Sequence, residues 1–238
     1  MGINLNKRIS LVKETLEKKS FDGNVEVAMV LDVSGSMSSM FNNGTVQDLV
    51  ERLLAIGINL DGDKKIESYI FSNSYKKLED ITVSNYEGYA NREIYKKGLV
   101  NGGTNYAPVI KALSEDYLGK TQKKGLFSRF KKESEPQLES KNPLVVFFVT
   151  DGDNFDKSET KNIIKSLSGE NIFFQFIGIS EHKTSNFPFL EKLDDLDGRV
   201  RDNANFFNSG KVSEIDDSKL FEGVLEEMPS WYKRERNN

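Results

Sequence analysis

Asp32, Ser34 and Ser36 stand two residues apart in the stretch DVSGSM, parted by Val33 and Gly35. One carboxylate and two hydroxyls at that spacing can be turned toward one point, with Gly35 letting the backbone wrap tightly. Oxygen-only donors suit a hard divalent cation such as magnesium. The same residues also describe a strand end followed by a Ser-rich turn, and alone they do not choose between the two readings. Two further loops offer oxygen. Thr104 lies in the Gly-rich stretch NGGTN, ahead of a predicted helix with Pro108 in its first turn, a position that proline favours. Its hydroxyl is therefore expected to be presented at a helix entrance. Asp151 follows LVVFFVT (Leu144 to Thr150), the most hydrophobic run in the chain.

The elements that must position these residues follow from periodicity. Val25 to Leu31 and Leu144 to Thr150 read as buried central strands, with further strands at Ile66 to Phe71, Ile172 to Ile179 and Ala204 to Asn208. One or two short strands are expected within Tyr75 to Val83. Leu5, Ile9, Val12 and Leu16 recur at helical spacing and predict an amphipathic helix from about Ser10 to Lys19. Thr45 is the expected N-cap of a helix lined by Val46, Leu49, Val50, Leu53, Leu54 and Gly57. Further helices are predicted over Tyr106 to Leu118, Lys157 to Leu167 and Phe187 to Leu196. Leu220, Phe221, Val224, Leu225 and Met228 mark a C-terminal helix, with Trp231 and Tyr232 extending its packing face. Asn85 to Lys97 is expected to be helical in part, with Tyr86, Tyr89 and Tyr95 packing on the core. Strands alternating with helices predict an α/β fold, a mostly parallel central sheet flanked by helices on both faces. In such sheets ligands bind beyond the carboxyl ends of the strands, at a switch in strand order. Asp32 and Asp151 both stand at such ends and are expected to converge.

Composition narrows the function classes. The 238 residues carry a net charge of −4 and no cysteine. That excludes disulfides, thiolate metal sites and a Cys nucleophile, and gives no global attraction to nucleic acid. No run has the length of a signal-peptide core or a membrane span, and Asn6 breaks the myristoylation spacing after Gly2. A cytoplasmic protein is the expectation. Residues 119–142 hold seven Lys or Arg against three Glu, with Leu126, Phe127 and Phe130 interleaved. The segment lacks the clustering of a polybasic anchor, so a solvated insertion is preferred to a membrane-surface contact. Residues 1–24 are set apart as a helical extension, 25–228 as the main domain and 229–238 as a tail.

DVSGS, GGT and TDGD, in that order, resemble the von Willebrand factor A (vWA) domain and its metal-ion-dependent adhesion site. The family motif is Asp-x-Ser-x-Ser, a distant Thr in a Gly-rich loop and an Asp after a central strand, and all five positions match here. NGTVQDLVERLL, NYEGY, GGTNYAPVI and VTDGDNFD are similar to the branch found in tellurium-resistance proteins of the TerF and TerY kind. The resemblance implies a Rossmann-like vWA fold and a metal set of Asp32, Ser34, Ser36, Thr104 and Asp151. It implies Mg2+, with Mn2+ or Ca2+ as alternatives, and a protein partner that offers a Glu or Asp to the metal. In the family, Thr and Asp at the positions of Thr104 and Asp151 exchange between direct and water-mediated contact. A bacterial stress-response role is implied as well, although a chain without thiols is not expected to react with tellurite itself.

The competing reading is a magnesium-dependent phosphoester hydrolase or phosphotransfer enzyme using Asp32. It would want a second acidic residue two positions on, where Ser34 stands, and no phosphate-binding Gly-rich motif or nucleophile elbow is present. A phospho-accepting receiver domain would share the sheet but leave Ser36 and Thr104 unexplained. His182, the single histidine, sits in a polar loop and is expected to be an exposed loop residue. Asp153 and Asp156 do not complete a calcium loop, which needs Gly at its sixth position, and are read as polar loop residues supporting the site. The expectation is a binding module and not an enzyme.

Overall fold

Runs such as VAMVL and LVVFFVT lack polar alternation because both faces of their strands are covered. In the computed structural model, which describes residues 4–127, 142–182 and 185–236, they form the centre of a six-stranded sheet. The strands are β1 (Glu26–Asp32), β2 (Glu67–Phe71), β3 (Tyr75–Lys77), β4 (Leu144–Thr150), β5 (Ile172–Ser180) and β6 (Ala204–Lys211). Their order is β3-β2-β1-β4-β5-β6. All neighbours are parallel except β3, which is antiparallel to β2. Alternate residues of each strand feed two cores. Val27, Met29, Leu31, Val145, Phe147 and Val149 face one layer, and Ala28, Val30, Val146, Phe148, Phe174 and Phe176 the other.

The first core is closed by α1 (Leu5–Lys18), α2 (Ser38–Asn42), α3 (Thr45–Leu60), α7 (Asp217–Val224) and α8 (Met228–Arg236). The second is closed by α4 (Ala107–Phe127), α5 (Lys157–Leu167) and α6 (Pro188–Asp194). The mostly parallel α/β sheet covered on both faces is thus as the alternation of elements predicts. Tyr89 is buried with its hydroxyl donating to the Glu79 carbonyl at 2.7 Å, and Tyr86 and Tyr95 pack on the same core. The part-helical stretch around them is a π-helical segment, Ala90–Tyr95.

Several boundaries differ from the sequence expectation. The first helix starts at Leu5, not near Ser10, because Asn4 caps it by accepting the Asn6 N–H at 3.0 Å. Apolar periodicity also misses Arg8, which is buried. Its guanidinium bonds Asp48, Glu51 at 3.1 Å and Asp217 at 3.2 Å, while Arg52 pairs with Asp48 at 2.9 Å and Asp217 at 3.1 Å. This network fastens α1 to α3 and α7. Thr45 is not the cap of α3. Gly44, at φ 85°, takes that place, and Asn43 Oδ1 accepts the Thr45 N–H at 3.0 Å, because an Asn-Gly pair closes the turn itself.

The helix expected to stop at Leu118 runs on to Phe127, into the basic segment, whose residues 128–141 lie outside those described. The last strand extends to Lys211. The C-terminal helix is two, α7 and α8, and residues 229–236 are helical with Trp231 and Tyr232 buried. Between Tyr75 and Val83 lie β3 and a single bridge from Ile81 to Ile66. Among the described residues no helix is long and apolar enough to cross a membrane.

Candidate functional site

From β1 the chain crosses to β2 on one side, and from β4 to β5 on the other. The carboxyl ends of β1 and β4 are therefore the switch point at which an open α/β sheet forms its crevice. Leu31 lies beside Val149. The next residues, Asp32 and Thr150, thus emerge side by side on the face covered by α4 and α5. Thr150 donates its hydroxyl to Asp32 Oδ2 at 2.7 Å, and the Ser34 N–H donates to Asp32 Oδ1 at 2.7 Å. The Ser34 and Ser36 hydroxyls are 3.1 Å apart, and Ser36 donates to Asp151 Oδ1 at 3.0 Å. Four of the five residues singled out in the sequence are thereby joined in one hydrogen-bonded cluster.

Thr104 reaches the cluster through backbone bonds. The Asn101 N–H donates to Val33 O at 2.8 Å, the Gly35 N–H to Gly102 O at 3.1 Å, and the Phe155 N–H to Thr104 O at 3.0 Å. The Gly-rich loop is thus stitched to the Asp32 loop on one side and to the Asp151 loop on the other. Thr104 is partly exposed. The glycine that the site needs is not the one expected. A Cβ on Gly35 would meet nothing closer than Gly102 O at 3.8 Å, so its tight-wrapping role is not required. Gly102 adopts φ +85°, and a Cβ on Gly103 would lie 2.7 Å from Asn73 Oδ1 and 2.8 Å from the Phe155 ring.

The electrostatics are those of an unbalanced anion. Asp32 is fully buried, and burial pushes its carboxyl up to about 6, against the lowering hydrogen bonds of Thr150 and Ser34, with the charge of Asp151 raising it further. Burial also raises Asp151, opposed by its bond from Ser36. Among the described residues neither carboxylate forms an ion pair. A buried carboxylate without a counter-charge is costly, and a hard cation among the oxygens of Asp32, Ser34, Ser36 and Asp151 is a fitting compensation. Among the described residues no three Asp, Glu or His side chains gather as a metal site. This cluster has two carboxylates, and its other donors are hydroxyls. His182 is exposed, its N–H bonded to Ser180 Oγ at 2.9 Å.

Residues outside the five-residue motif hold the cluster in place, among them Asp156, which the sequence reading expects to support the site. Beyond Thr150, the buried Tyr106 hydroxyl sits 3.2 Å from Thr150 Oγ1 and 2.5 Å from Gly152 O. Asp156 accepts the Tyr106 and Ala107 N–H groups at 3.0 and 2.8 Å, capping α4 from a loop some fifty residues away in sequence. Asn73 accepts the Gly103 N–H at 2.9 Å. Asp153, by contrast, is exposed and paired with Lys157. The distant Asp that supplies the cap of α4 has no local pattern in the sequence beside that helix.

Residues 24–238 match the family model for the vWA domain found at the C terminus of TerF. The chain belongs to the TerF-like vWA family. The uncharacterized protein YcbR of Bacillus subtilis (strain 168) is 34% identical over 225 residues, spanning 93% of this chain and 84% of its own. Among solved structures, the vWA domain of SpRpn10 superposes with a TM-score of 0.54 at 16% identity, covering 82% of this chain and 93% of that one. An aerotolerance-related membrane protein from Bacteroides fragilis NCTC 9343 gives 0.51 at 18% identity, covering 87% and 100%. At such identities the two structures speak for the vWA fold alone.

Proposed function

We propose that this TerF-like vWA domain is a metal-dependent protein-binding module, a scaffold or adaptor in a bacterial stress-response system of the tellurium-resistance type, acting in the cytoplasm. The observation that carries the reading is the buried Asp32, without an ion pair among the described residues and bonded through Ser34 and Ser36 toward Asp151. Asp32, Ser34, Ser36, Thr104 and Asp151 would hold a Mg2+, with Mn2+ or Ca2+ as substitutes. Bound there, the cation supplies Lewis acidity toward an external oxygen, and a Glu or Asp of a partner protein is the natural donor. The protein's own part is to limit the negative charge. Three of its five donors are neutral hydroxyls, so two carboxylates at most balance a divalent ion and leave it receptive to a third.

Two observations favour this over a phosphoester hydrolase or phosphotransferase built on Asp32. Asp32 is fully buried beneath the Thr150 hydroxyl, whereas a nucleophile must reach its substrate. The loops 33–37, 72–74, 101–106 and 151–156 contain no Lys or Arg, the side chains that ordinarily neutralise a transferring phosphoryl group. The test is a pulldown with the purified chain in magnesium and in EDTA, repeated with Asp32→Ala. The expected partner is recovered with magnesium by the unaltered chain alone. Equal recovery in EDTA overturns the adhesion reading, as does turnover of a generic phosphoester that Asp32→Ala abolishes.

A further inference from the structure

Phe155 is the most exposed large hydrophobic side chain among the described residues, at 82%. Its place is not accidental. It lies four residues beyond Asp151, its N–H is fixed to Thr104 O at 3.0 Å, and its ring rests against Gly103. Gly103 leaves room for it, since a Cβ there would lie 2.8 Å from the ring. A pinned backbone with an aromatic ring held in water is the form of a preorganised binding anchor: exposed aromatics of this kind dominate protein interfaces when they enter a partner's pocket. The neighbouring loops expose the hydrogen-bonding side chains of Ser36, Asn73 and Asn101 and the carboxylate of Asp153. Lys157, the first cation beyond the loop, is committed to Asp153. Loops of amides, hydroxyls and carboxylates with no Lys or Arg of their own suit a polypeptide over a nucleic acid.

We infer that Phe155 is a docking anchor beside the metal site, and that the partner is a protein segment carrying an apolar side chain close to the Glu or Asp it presents. The inference rests on the adhesion reading above and adds a second requirement to it. The carboxylate alone gives a charge-driven contact open to any acidic surface. The aromatic contact restricts the partner to acidic residues with an apolar neighbour, and so confers specificity.

The probe is a displayed library of random heptapeptides, selected on the folded chain in magnesium and eluted with EDTA. Pools are compared for the unaltered chain, Phe155→Ser and Phe155→Trp. Unchanged magnesium binding by Phe155→Ser verifies that the variant is folded. The expected pool from the unaltered chain is enriched in Glu or Asp with an apolar residue within two positions. Phe155→Ser keeps the acidic enrichment but loses the apolar one, and Phe155→Trp keeps both. Individual peptides from the first pool then bind Phe155→Ser about 10-fold or more weakly. Acidic enrichment without an apolar neighbour, or an apolar preference that survives Phe155→Ser, overturns the anchor and leaves the metal reading standing. A pool without acidic enrichment overturns both.

Discussion

Thr150 on β4 donates its hydroxyl to Asp32 Oδ2 on β1 at 2.7 Å, and lies 3.2 Å from the Tyr106 hydroxyl at the start of α4. The carboxylate of one strand is therefore oriented by the next strand, and that strand by the helix packed above it. Thr150→Val keeps the β-branched shape and removes the bond. It should weaken magnesium binding by about 10-fold or more, the usual scale for losing a partner that orients a metal ligand. Thr150→Ser should restore most of the affinity. Calorimetric titration with magnesium measures both.

Asp156 caps α4 through two N–H groups, from Tyr106 and Ala107. Asp156→Ala should cost about 1–2 kcal/mol of stability, as for other lost caps. Asp156→Asn, which retains one acceptor, should cost less. Urea unfolding reports this as a lower midpoint at unchanged slope.

Gly103 and Gly35 make a matched pair. A methyl at Gly103 meets Asn73 and Phe155 within 2.8 Å, whereas one at Gly35 has 3.8 Å of room. Gly103→Ala must push aside the exposed Phe155 ring and the Asn73 amide that accepts its N–H, and should destabilise by about 0.5–1.5 kcal/mol, the scale of one lost hydrogen bond. Gly35→Ala should stay within about 0.5 kcal/mol, as at unconstrained surface sites. Thermal unfolding of the two variants side by side separates them.

Asp194 on α6 is raised to about 6, first by burial and then by the charges of Glu227, Asp195 and Asp202, against a lowering bond from the Phe206 backbone. Its folded state holds the proton to higher pH than its unfolded state, whose pKa is about 3.9. Its contribution to stability is thus complete below that value and is lost as pH rises through about 6. Asp194→Asn should therefore gain stability relative to the unaltered chain at pH 7.5 compared with pH 4. Urea unfolding of both proteins at the two pH values gives the double difference, from which the similar trend of Asp32 cancels.

Much of this architecture was legible in the amino-acid pattern. Val25 to Leu31 and Leu144 to Thr150 marked themselves as strands by unbroken apolar runs, and chain order alone placed Asp32 and Asp151 at carboxyl ends. What escaped was polar and long-range. Arg8 sits in a buried ion network that no apolar periodicity registers. Thr150 reads as the last residue of a hydrophobic strand and becomes a hydrogen-bond donor only because β1 lies alongside. The Asp156 cap joins segments about fifty residues apart. Gly35 stands inside the motif where a tight wrap is expected, yet the crowded glycine of the site is Gly103, whose neighbours Asn73 and Phe155 come from two other loops.

The most direct measurement of the central claim is manganese binding followed by electron paramagnetic resonance, with circular dichroism to verify folding. The unaltered chain should bind one ion that magnesium displaces. Asp32→Ala should bind none while remaining folded, and Thr104→Ala should keep the ion while losing more of its partner affinity. A folded Asp32→Ala chain that binds manganese as the unaltered chain does, or an unaltered chain that binds none, would contradict it.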